Sequence, residues 1–272
     1  MATTGKKFSL LRQFDSSQGN DGSGPFAGLV AATDGNFYGA TSAGANFGLV
    51  PNGNVFSITS GGDYSDLFVF DYTHGELAES TPMQHTNGMV YGLTTRGGPN
   101  LSQDGVLYRI DIGLPNFVSL EERWGSAGKT VGILGTGLTG TTSVKFGSGS
   151  ASFNVISDAY MTAVVPADGT SGFVTVTTPS GTLTSNRSFF VTPIVSSIAP
   201  TSGPVGTQVT ITGSGLTGAT KVTFGGVKAT SYTVNSGTTI TVAVPAGAQS
   251  GKVAVTTGGG IASSKGIFTV TP

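Results

Sequence analysis

The strongest constraint on the fold is a duplicated segment in the carboxy-terminal half of the chain. The segment VTITGSGLTGATKVTFG at residues 209–225 is nearly repeated as VGILGTGLTGTTSVKFG at 131–147, an offset of 78 (209 − 131). The sequence after each copy also matches and ends in VTP, at Pro193 and at Pro272. Apolar residues alternate with Thr and Ser along these segments, which is the period of a half-buried strand. The sequence therefore predicts two tandem β-modules.

Composition favours an all-β chain. The 272 residues include 44 glycines, and only 10% of the residues are charged. Glycine adopts the positive φ angles of tight turns, and Val and Thr suit a pleated, half-buried surface. The net charge of −1 provides no basic field for a phosphate backbone, so we expect no nucleic-acid partner. Cysteine is absent, which excludes disulfides, thiol catalysis and Cys-based zinc sites.

A weaker repeat occupies residues 1–115. The segment DGNFYGATSAG at 34–44 matches NGMVYGLTTRG at 87–97 with an offset of 53, and GNVFSI at 53–58 matches GVLYRI at 105–110 with an offset of 52. The Asp-Gly and Asn-Gly dipeptides of these segments predict hairpin turns, because such turns need positive φ.

Each N-terminal unit is predicted to contain about four short strands. The entry strand is LLRQFD at 10–15 in the first unit and DLFVFD at 66–71 in the second. A middle strand (AGLVAAT in the first unit), a strand ending near Tyr-Gly and a V-F-x-I strand follow. Four strands in about 50 residues is the spacing of a propeller blade. We place the units at about 6–60 and 61–115.

The first unit, PFAGLVAATDGNFYGATSAG followed by GNVFSI, resembles the GloVer tandem repeat of bacterial surface proteins. The second unit is degenerate and is predicted to have lost the A-G-L strand. The resemblance implies a kelch-like, partial propeller of blade-like antiparallel repeats. Because a closed propeller typically needs four to eight blades, three alternatives stay open. Further blades are missing from this sequence, or the two units pack as a small sandwich, or several chains complete a ring.

The duplicated modules can also be placed in a family. The pattern I-x-P-x-x-G-P-x-G-T-x-V-T-I-x-G of the second module closely resembles the IPT/TIG module, which is immunoglobulin-like. The first module departs from it at RWGSAG, where the Pro-x-x-Gly-Pro turn is lost. About seven strands in under ~80 residues agree with an immunoglobulin-like sandwich. We place the two sandwiches at 116–193 and 194–272.

Alternation within the modules predicts which side chains face each core. In the second module the inward residues are Val209, Ile211, Val222, Phe224, Ile240, Val242, Val253, Val255 and Phe268. Their predicted partners in the first module are Val131, Ile133, Val144, Phe146, Val174, Val176 and Phe190.

No motif specifies a catalytic, cofactor or metal site. His74 and His85 lie in no metal-binding frame, and no nucleophile elbow or phosphate loop occurs. Glycoside hydrolysis needs two carboxylates that act together, and the sequence does not show which acidic residues would pair. The simpler interpretation is that these acidic residues lie in turns. These carboxylates are Asp63, Asp66, Asp71, Glu76, Glu79, Asp104 and Asp111. The segment NDGSG at 20–24 lacks the ligand set of a calcium loop.

Aromatic residues outside the repeat pattern are the candidates for ligand or partner contact. Trp124 is the only tryptophan and follows Arg123, at the end of a charge run that is predicted to be a solvated first strand. Tyr64, Tyr72 and Phe47 are placed in loops of the N-terminal region. Exposed Trp and Tyr next to polar residues suit sugar binding. The aromatic residues that recur at equivalent positions of both units are assigned to the core instead.

These features favour a non-enzymatic extracellular or cell-surface protein with a structural or adhesion role. The open sheet edges of two blade-like units predict self-assembly into a homo-oligomer or filament. The alternative is a polysaccharide-active enzyme or a carbohydrate-binding accessory module with its site on the N-terminal loops, and the predicted partner is then a cell-surface glycan. No cofactor is predicted. No run approaches the ~18 apolar residues of a membrane helix, and the amino-terminal residues lack the apolar core of a signal peptide. An extracellular location therefore requires a signal that has been removed.

Overall fold

The computed structural model describes residues 7–15, 22–44, 52–99 and 104–272. It divides into two compact units, Met1–Pro115 and Asn116–Pro272. All the regular elements within the described ranges are β-strands, in agreement with the predicted all-β class. This part of the chain contains no helix of the length and apolarity that a membrane crossing needs.

The amino-terminal unit holds two small antiparallel sheets. Their strands are β1 (Val30–Ala31), β2 (Phe37–Thr41), β3 (Asn54–Ile58), β4 (Tyr64–Val69), β5 (Met83–Gln84), β6 (Val90–Leu93) and β7 (Leu107–Ile110). The first sheet has the order β1-β2-β3-β4 and the second has the order β5-β6-β7. A propeller-like relation between these sheets stays a prediction.

The two sheets share the same hairpin geometry. The β1–β2 and β5–β6 hairpins turn at Gly35 and Gly88, which have φ angles of 84° and 82°. The phenolic hydroxyl of Tyr38 donates to Asp34 at 2.8 Å, and the equivalent Tyr91 hydroxyl accepts from the amide of Asn87 at 2.9 Å. The repeat at an offset of 53 is therefore present in the hydrogen bonds as well as in the sequence.

The fourth strand corrects the predicted unit boundary. β4 begins at Tyr64 and pairs with β3, so the segment predicted as the entry strand of the second unit completes the sheet of the first. The corresponding residues 10–15 are not in a strand. The prediction that the second unit had lost its A-G-L strand is also wrong, because β5 pairs with β6 as β1 pairs with β2.

The core of the amino-terminal unit is small. Its buried cluster is Ala40, Val55, Phe70 and Ala78. The Phe70 ring meets Tyr108 at a centroid distance of 5.2 Å and so joins the residue after β4 to β7 of the next sheet. The chain therefore links its repeats by inserting Phe70, at the end of one sheet, into the core of the following one.

The first sandwich follows directly. Its strands are β8 (Ser119–Leu120), β9 (Trp124–Gly125), β10 (Thr130–Leu134), β11 (Ser143–Phe146), β12 (Gly149–Ala151), β13 (Phe153–Ser157), β14 (Tyr160–Val164), β15 (Val174–Thr178), β16 (Gly181–Thr184) and β17 (Phe190–Val191). Two four-stranded sheets, β13-β14-β10-β8 and β12-β11-β15-β16, provide its layers, and β9 pairs in parallel with β17.

The second sandwich repeats this order. Its strands are β18 (Ile194–Ala199), β19 (Ser202–Gly203), β20 (Gln208–Ser214), β21 (Lys221–Phe224), β22 (Val227–Lys228), β23 (Tyr232–Ser236), β24 (Thr239–Ala243), β25 (Gly251–Thr257) and β26 (Gly260–Val270). Its sheets are β18-β20-β24-β23 and β19-β26-β25-β21-β22, with β19 parallel to β26. The sandwiches also touch, since the Gly215 amide donates to the Ala167 carbonyl at 2.9 Å.

Each sandwich has its own apolar core, and the first core contains one correction. The predicted inward residues are buried at every position except Phe190. Phe189 is fully buried instead and packs edge-on against Phe146 at 4.9 Å, as Phe268 packs against Phe224 at 5.2 Å. The prediction failed because the offset between the copies grows from 78 to 79 before the last strand, which moves the inward position by one residue. Phe190 consequently faces outward.

Candidate functional site

The outward position of Phe190 creates an aromatic surface with Trp124. The short parallel pairing of β9 with β17 places these two residues directly opposite each other. Their rings stack with a centroid distance of 4.2 Å and an interplanar angle of 17°. Trp124 nevertheless remains 54% exposed. An exposed indole held in one orientation by a neighbouring ring is a flat apolar surface available to a ligand.

One charged side chain, Arg123, adjoins this surface, and an ion pair lies nearby in sequence. The Arg123 guanidinium lies 5.8 Å from the centre of the Phe190 ring, and its Nε donates to the Ser188 carbonyl at 3.4 Å. The Lys129 ammonium pairs with the Glu122 carboxylate, and both side chains stay partly exposed. We call Arg123, Trp124 and Phe190 the Trp124 platform. The charge run at 121–123 is solvated as predicted, but it lies between β8 and β9 and not in a strand.

The second sandwich shows that this fold does not need the platform. At the equivalent parallel pairing, Ser202 faces Thr269, and both residues are exposed. The backbone is the same in the two copies. The Phe190 amide donates to the Arg123 carbonyl at 2.7 Å, and the Thr269 amide donates to the Thr201 carbonyl at 2.9 Å. The aromatic pair is therefore an addition to a pairing that small polar residues also support.

The chemistry of the platform indicates what kind of ligand it would fit. An apolar ring face with the Arg123 guanidinium beside it suits a ligand that has one flat apolar face and hydroxyl groups around it. The platform contains no nucleophile hydrogen-bonded to a base, which covalent catalysis would need. Sequence reasoning found Trp124 and Arg123 but missed Phe190. The available signal was the change of offset from 78 to 79 in the middle of the module, since Val174 and Val253 already differ by 79 (253 − 174).

Tyr64 lies elsewhere and is a different kind of residue. The prediction placed Tyr64 in a loop, but it is the first residue of β4. Its ring stacks on Phe56 at 5.3 Å. Its hydroxyl donates to Asp66 at 2.9 Å and accepts from Asn54 at 2.7 Å. The Arg12 guanidinium lies 4.5 Å from the ring centre. Tyr64 is thus held on all sides by its own unit, and it offers no free ring face.

The remaining predicted contact residues do not join the platform. Tyr72 lies in a turn after β4, where its carbonyl accepts from the Gly98 amide at 2.9 Å. Phe47 lies outside the described residues, as does part of the NDGSG segment. The predicted contact set is therefore not one site, and only Trp124 and Arg123 come together.

An Asp–His pair occupies the turn that contains Tyr72. The imidazole Nδ1 of His74 lies 2.8 Å from the Asp71 carboxylate, and Thr73 donates to the same carboxylate at 2.7 Å. Burial raises the pKa of Asp71, but the hydrogen bonds from Thr73 and His74 outweigh it and lower the pKa to about 2. Both side chains are more than half exposed. This pair stabilises a turn, which is the role that the sequence predicted for Asp71.

Two of the candidate carboxylates share an open cleft. Glu79 and Asp104 border a depression of about 450 Å³, together with Leu93 and Leu107. The depression is wide open to solvent, whereas acid–base chemistry on a sugar gains from a site that excludes water. The described residues include no group of three or more His, Asp or Glu that could hold a metal ion.

The fold and the residue pattern define a class of protein, in which two immunoglobulin-like sandwiches follow a small repeat unit in the sequence. A family model of the IPT/TIG domain matches residues 115–191 and 193–270, which is more than half of the chain. The chain belongs to the IPT/TIG domain family, and this confirms the resemblance predicted for its two modules. The GloVer resemblance of residues 1–115 stays a prediction. No curated protein matches the chain.

Several solved structures are similar to parts of this chain. SGBP-B from a xyloglucan utilization locus in Bacteroides uniformis is 19% identical over 56% of this chain and 48% of its own, with a TM-score of 0.29. The surface glycan-binding protein PbSGBP-B from Prevotella bryantii is 19% identical over 56% of this chain and 41% of its own, with a TM-score of 0.38. The chain thus spans about half of these structures or less, and TM-scores this low identify no function.

Proposed function

We propose that this chain is a non-enzymatic, cell-surface carbohydrate-contact protein, in which the Trp124 platform binds a polysaccharide and the sandwiches carry that platform. The observation that carries the proposal is the Trp124–Phe190 stack at a parallel pairing where the second sandwich has Ser202 and Thr269. A half-exposed indole held in one orientation by a stacked ring, at a pairing where the fold does not need it, supports a ligand contact.

The ligand class follows from the chemistry of the platform. A pyranose ring with equatorial hydroxyl groups presents axial C–H groups on a flat apolar face, which can lie on an indole. Its hydroxyl groups then point outward, where the Arg123 guanidinium can donate hydrogen bonds to them. The solved structures similar to this chain include PbSGBP-B, a surface glycan-binding protein. Their low TM-scores leave the proposal to rest on the platform alone.

The presence of a single tryptophan makes a direct test available. Titration with oligosaccharides of the main β-linked and α-linked polysaccharides should change the intrinsic fluorescence of Trp124, since no other indole contributes. Insoluble polysaccharides and a glycan array widen the panel. Trp124→Ala has no indole, so its binding is compared with that of the wild type by pull-down on the insoluble polysaccharides; it should be weaker by about 30-fold or more, as expected for the central aromatic residue of a contact site.

A matched control is provided by the second sandwich. Ser202→Ala changes the equivalent strand and should leave binding as in the wild type. The proposal is wrong if Trp124→Ala binds as tightly as Ser202→Ala, because the glycan then sits elsewhere. A wild-type chain that binds no member of the panel leaves the structural and adhesion role as the function.

A further inference from the structure

The two amino-terminal sheets differ at one edge. In the first sheet β3 is paired on both sides, with β2 and with β4. In the second sheet the equivalent strand, β7, is paired only with β6 and stands at the end of the described sheet. No described strand takes, in the second sheet, the position that β4 takes in the first.

Burial at equivalent positions measures the effect of that missing strand. Val55 on β3 is fully buried, whereas Leu107, which occupies the same position on β7, is 71% exposed. Val55 faces Phe68 across the β3–β4 pairing. An apolar residue on an unpaired edge strand is a template for pairing with another chain.

The chain also contains a second segment whose sequence matches that of β4 and the two residues after it. Residues 8–15 (FSLLRQFD) match residues 64–71 (YSDLFVFD) at an offset of 56, with Ser, Leu, Phe and Asp identical. The 64–71 segment pairs as β4, but residues 8–15 belong to no strand. Phe8 and Leu10 are 93% and 68% exposed.

The rest of this segment already has the geometry of its counterpart. Phe14 meets Phe56 at 5.2 Å, and Phe70, its equivalent, meets Tyr108 at the same centroid distance. Each segment therefore anchors its final Phe in the unit that follows it. In the 64–71 segment the residues before that Phe pair with the preceding unit, whereas residues 8–13 pair with no described strand.

We propose that residues 8–13 of one copy pair with β7 of a second copy, so that chains associate head to tail and repeat the β3–β4 pairing between molecules. The register follows from that pairing. Ser57 faces Ser65 in the β3–β4 pair. Adding the offset of 52 to Ser57 gives Arg109, and subtracting the offset of 56 from Ser65 gives Ser9. The proposed pairing therefore places Arg109 of one copy opposite Ser9 of the other. Both residues are exposed in the single chain.

Disulfide trapping tests this register, because the chain has no cysteine of its own. Facing Cα atoms in an antiparallel pair are about 4.5–5.5 Å apart, within the range that a disulfide spans. A Ser9→Cys chain is mixed with a size-tagged Arg109→Cys chain under mild oxidation. The mixed disulfide dimer should form severalfold more than with a Lys252→Cys chain, whose exposed residue lies in the second sandwich.

The intrachain pair serves as the positive control. A Ser57→Cys/Ser65→Cys chain should close its disulfide under the same oxidation, which shows that the β3–β4 geometry allows the bond. Ser9→Pro leaves every strand of the single chain intact, and it should abolish both the concentration-dependent mass increase in sedimentation and the trapping. The proposal is overturned if the intrachain control closes while Ser9→Cys links Arg109→Cys no more than Lys252→Cys, or if the wild type sediments as a monomer at high concentration.

Discussion

The two halves of the chain both arose as duplications, but only one of them consists of closed copies. Each sandwich contains all of its strands and a core of 14 buried apolar residues. The amino-terminal sheets together bury a cluster of only four. A sandwich closes its own apolar faces, whereas each amino-terminal sheet takes a strand or a Phe from its neighbour. A repeat of a closed module can therefore fold around its own core, whereas a repeat of an open one depends on its neighbour.

The largest expected effect tests the closed core of the first sandwich. Phe189→Ala should destabilise this sandwich by about 3–5 kcal/mol, because it leaves a cavity beside Phe146. Phe190→Ala, one residue away, should cost about 1 kcal/mol or less, since it removes only the stack on Trp124. Urea unfolding followed by Trp124 fluorescence measures both. Equal losses would contradict the assignment of Phe189 to the core.

A similar substitution tests the link between the open repeats. Phe70→Ala should destabilise the amino-terminal unit by about 3 kcal/mol, the lower end for a buried Phe, because the small cluster around it can collapse partly. Hydrogen exchange should accelerate in the segments of β3 and β7 together. The sandwich strands should keep their wild-type rates. Acceleration confined to one sheet would show that Phe70 does not join the two.

A smaller, stabilising effect is expected at Tyr108, the counterpart of Phe56. Its hydroxyl is buried without a hydrogen-bond partner, and burial raises its pKa to about 12. Tyr108→Phe removes the unpaired group and should stabilise the unit by about 1 kcal/mol. Phe56→Tyr is the reciprocal control and should destabilise it. A loss of stability in Tyr108→Phe would mean that the hydroxyl is bonded in solution.

The smallest expected effect is the pH dependence of the Asp71–His74 turn. The folded pKa of Asp71 lies near 2, below its ordinary value of 3.8, so the ionised carboxylate stabilises the fold above about pH 4. That contribution is lost as the pH falls from about 4 towards 2, and exposure keeps it below about 1 kcal/mol. The difference in stability between wild type and Asp71→Asn should shrink over this interval. A constant difference would contradict the lowered pKa.

Much of the fold could be predicted from the sequence where repeats and alternation carry the information. The period of the strands predicts the two sandwiches and all but one of their inward residues. Phe190 was misplaced because it was matched to Phe268 at an offset of 78, although Val174 and Val253 already differ by 79, and a shift of one residue reverses the faces of a strand. The Asn-Gly and Asp-Gly hairpins follow from the backbone preferences of those residues.

The rest depends on which strands meet, and pairing is not local information. Residues 66–71 were assigned to the second unit by sequence similarity, yet β4 hydrogen-bonds to β3. Tyr64 was placed in a loop for the same reason. The candidate site was found in part, because Trp124 and Arg123 stand outside the repeat pattern, but the stack with Phe190 needs the parallel pairing of β9 and β17.

Hydrogen exchange of β3 against β7, measured over a range of protein concentrations, tests the contrast between paired and open repeats most directly. At low concentration the amides of Leu107–Ile110 should exchange faster than those of Asn54–Ile58, since β7 has one neighbour and β3 has two. As the concentration rises, protection of β7 should increase towards that of β3, while β3 stays unchanged. Equal protection of the two strands at the lowest concentration, or a β7 rate that never changes, would contradict the account.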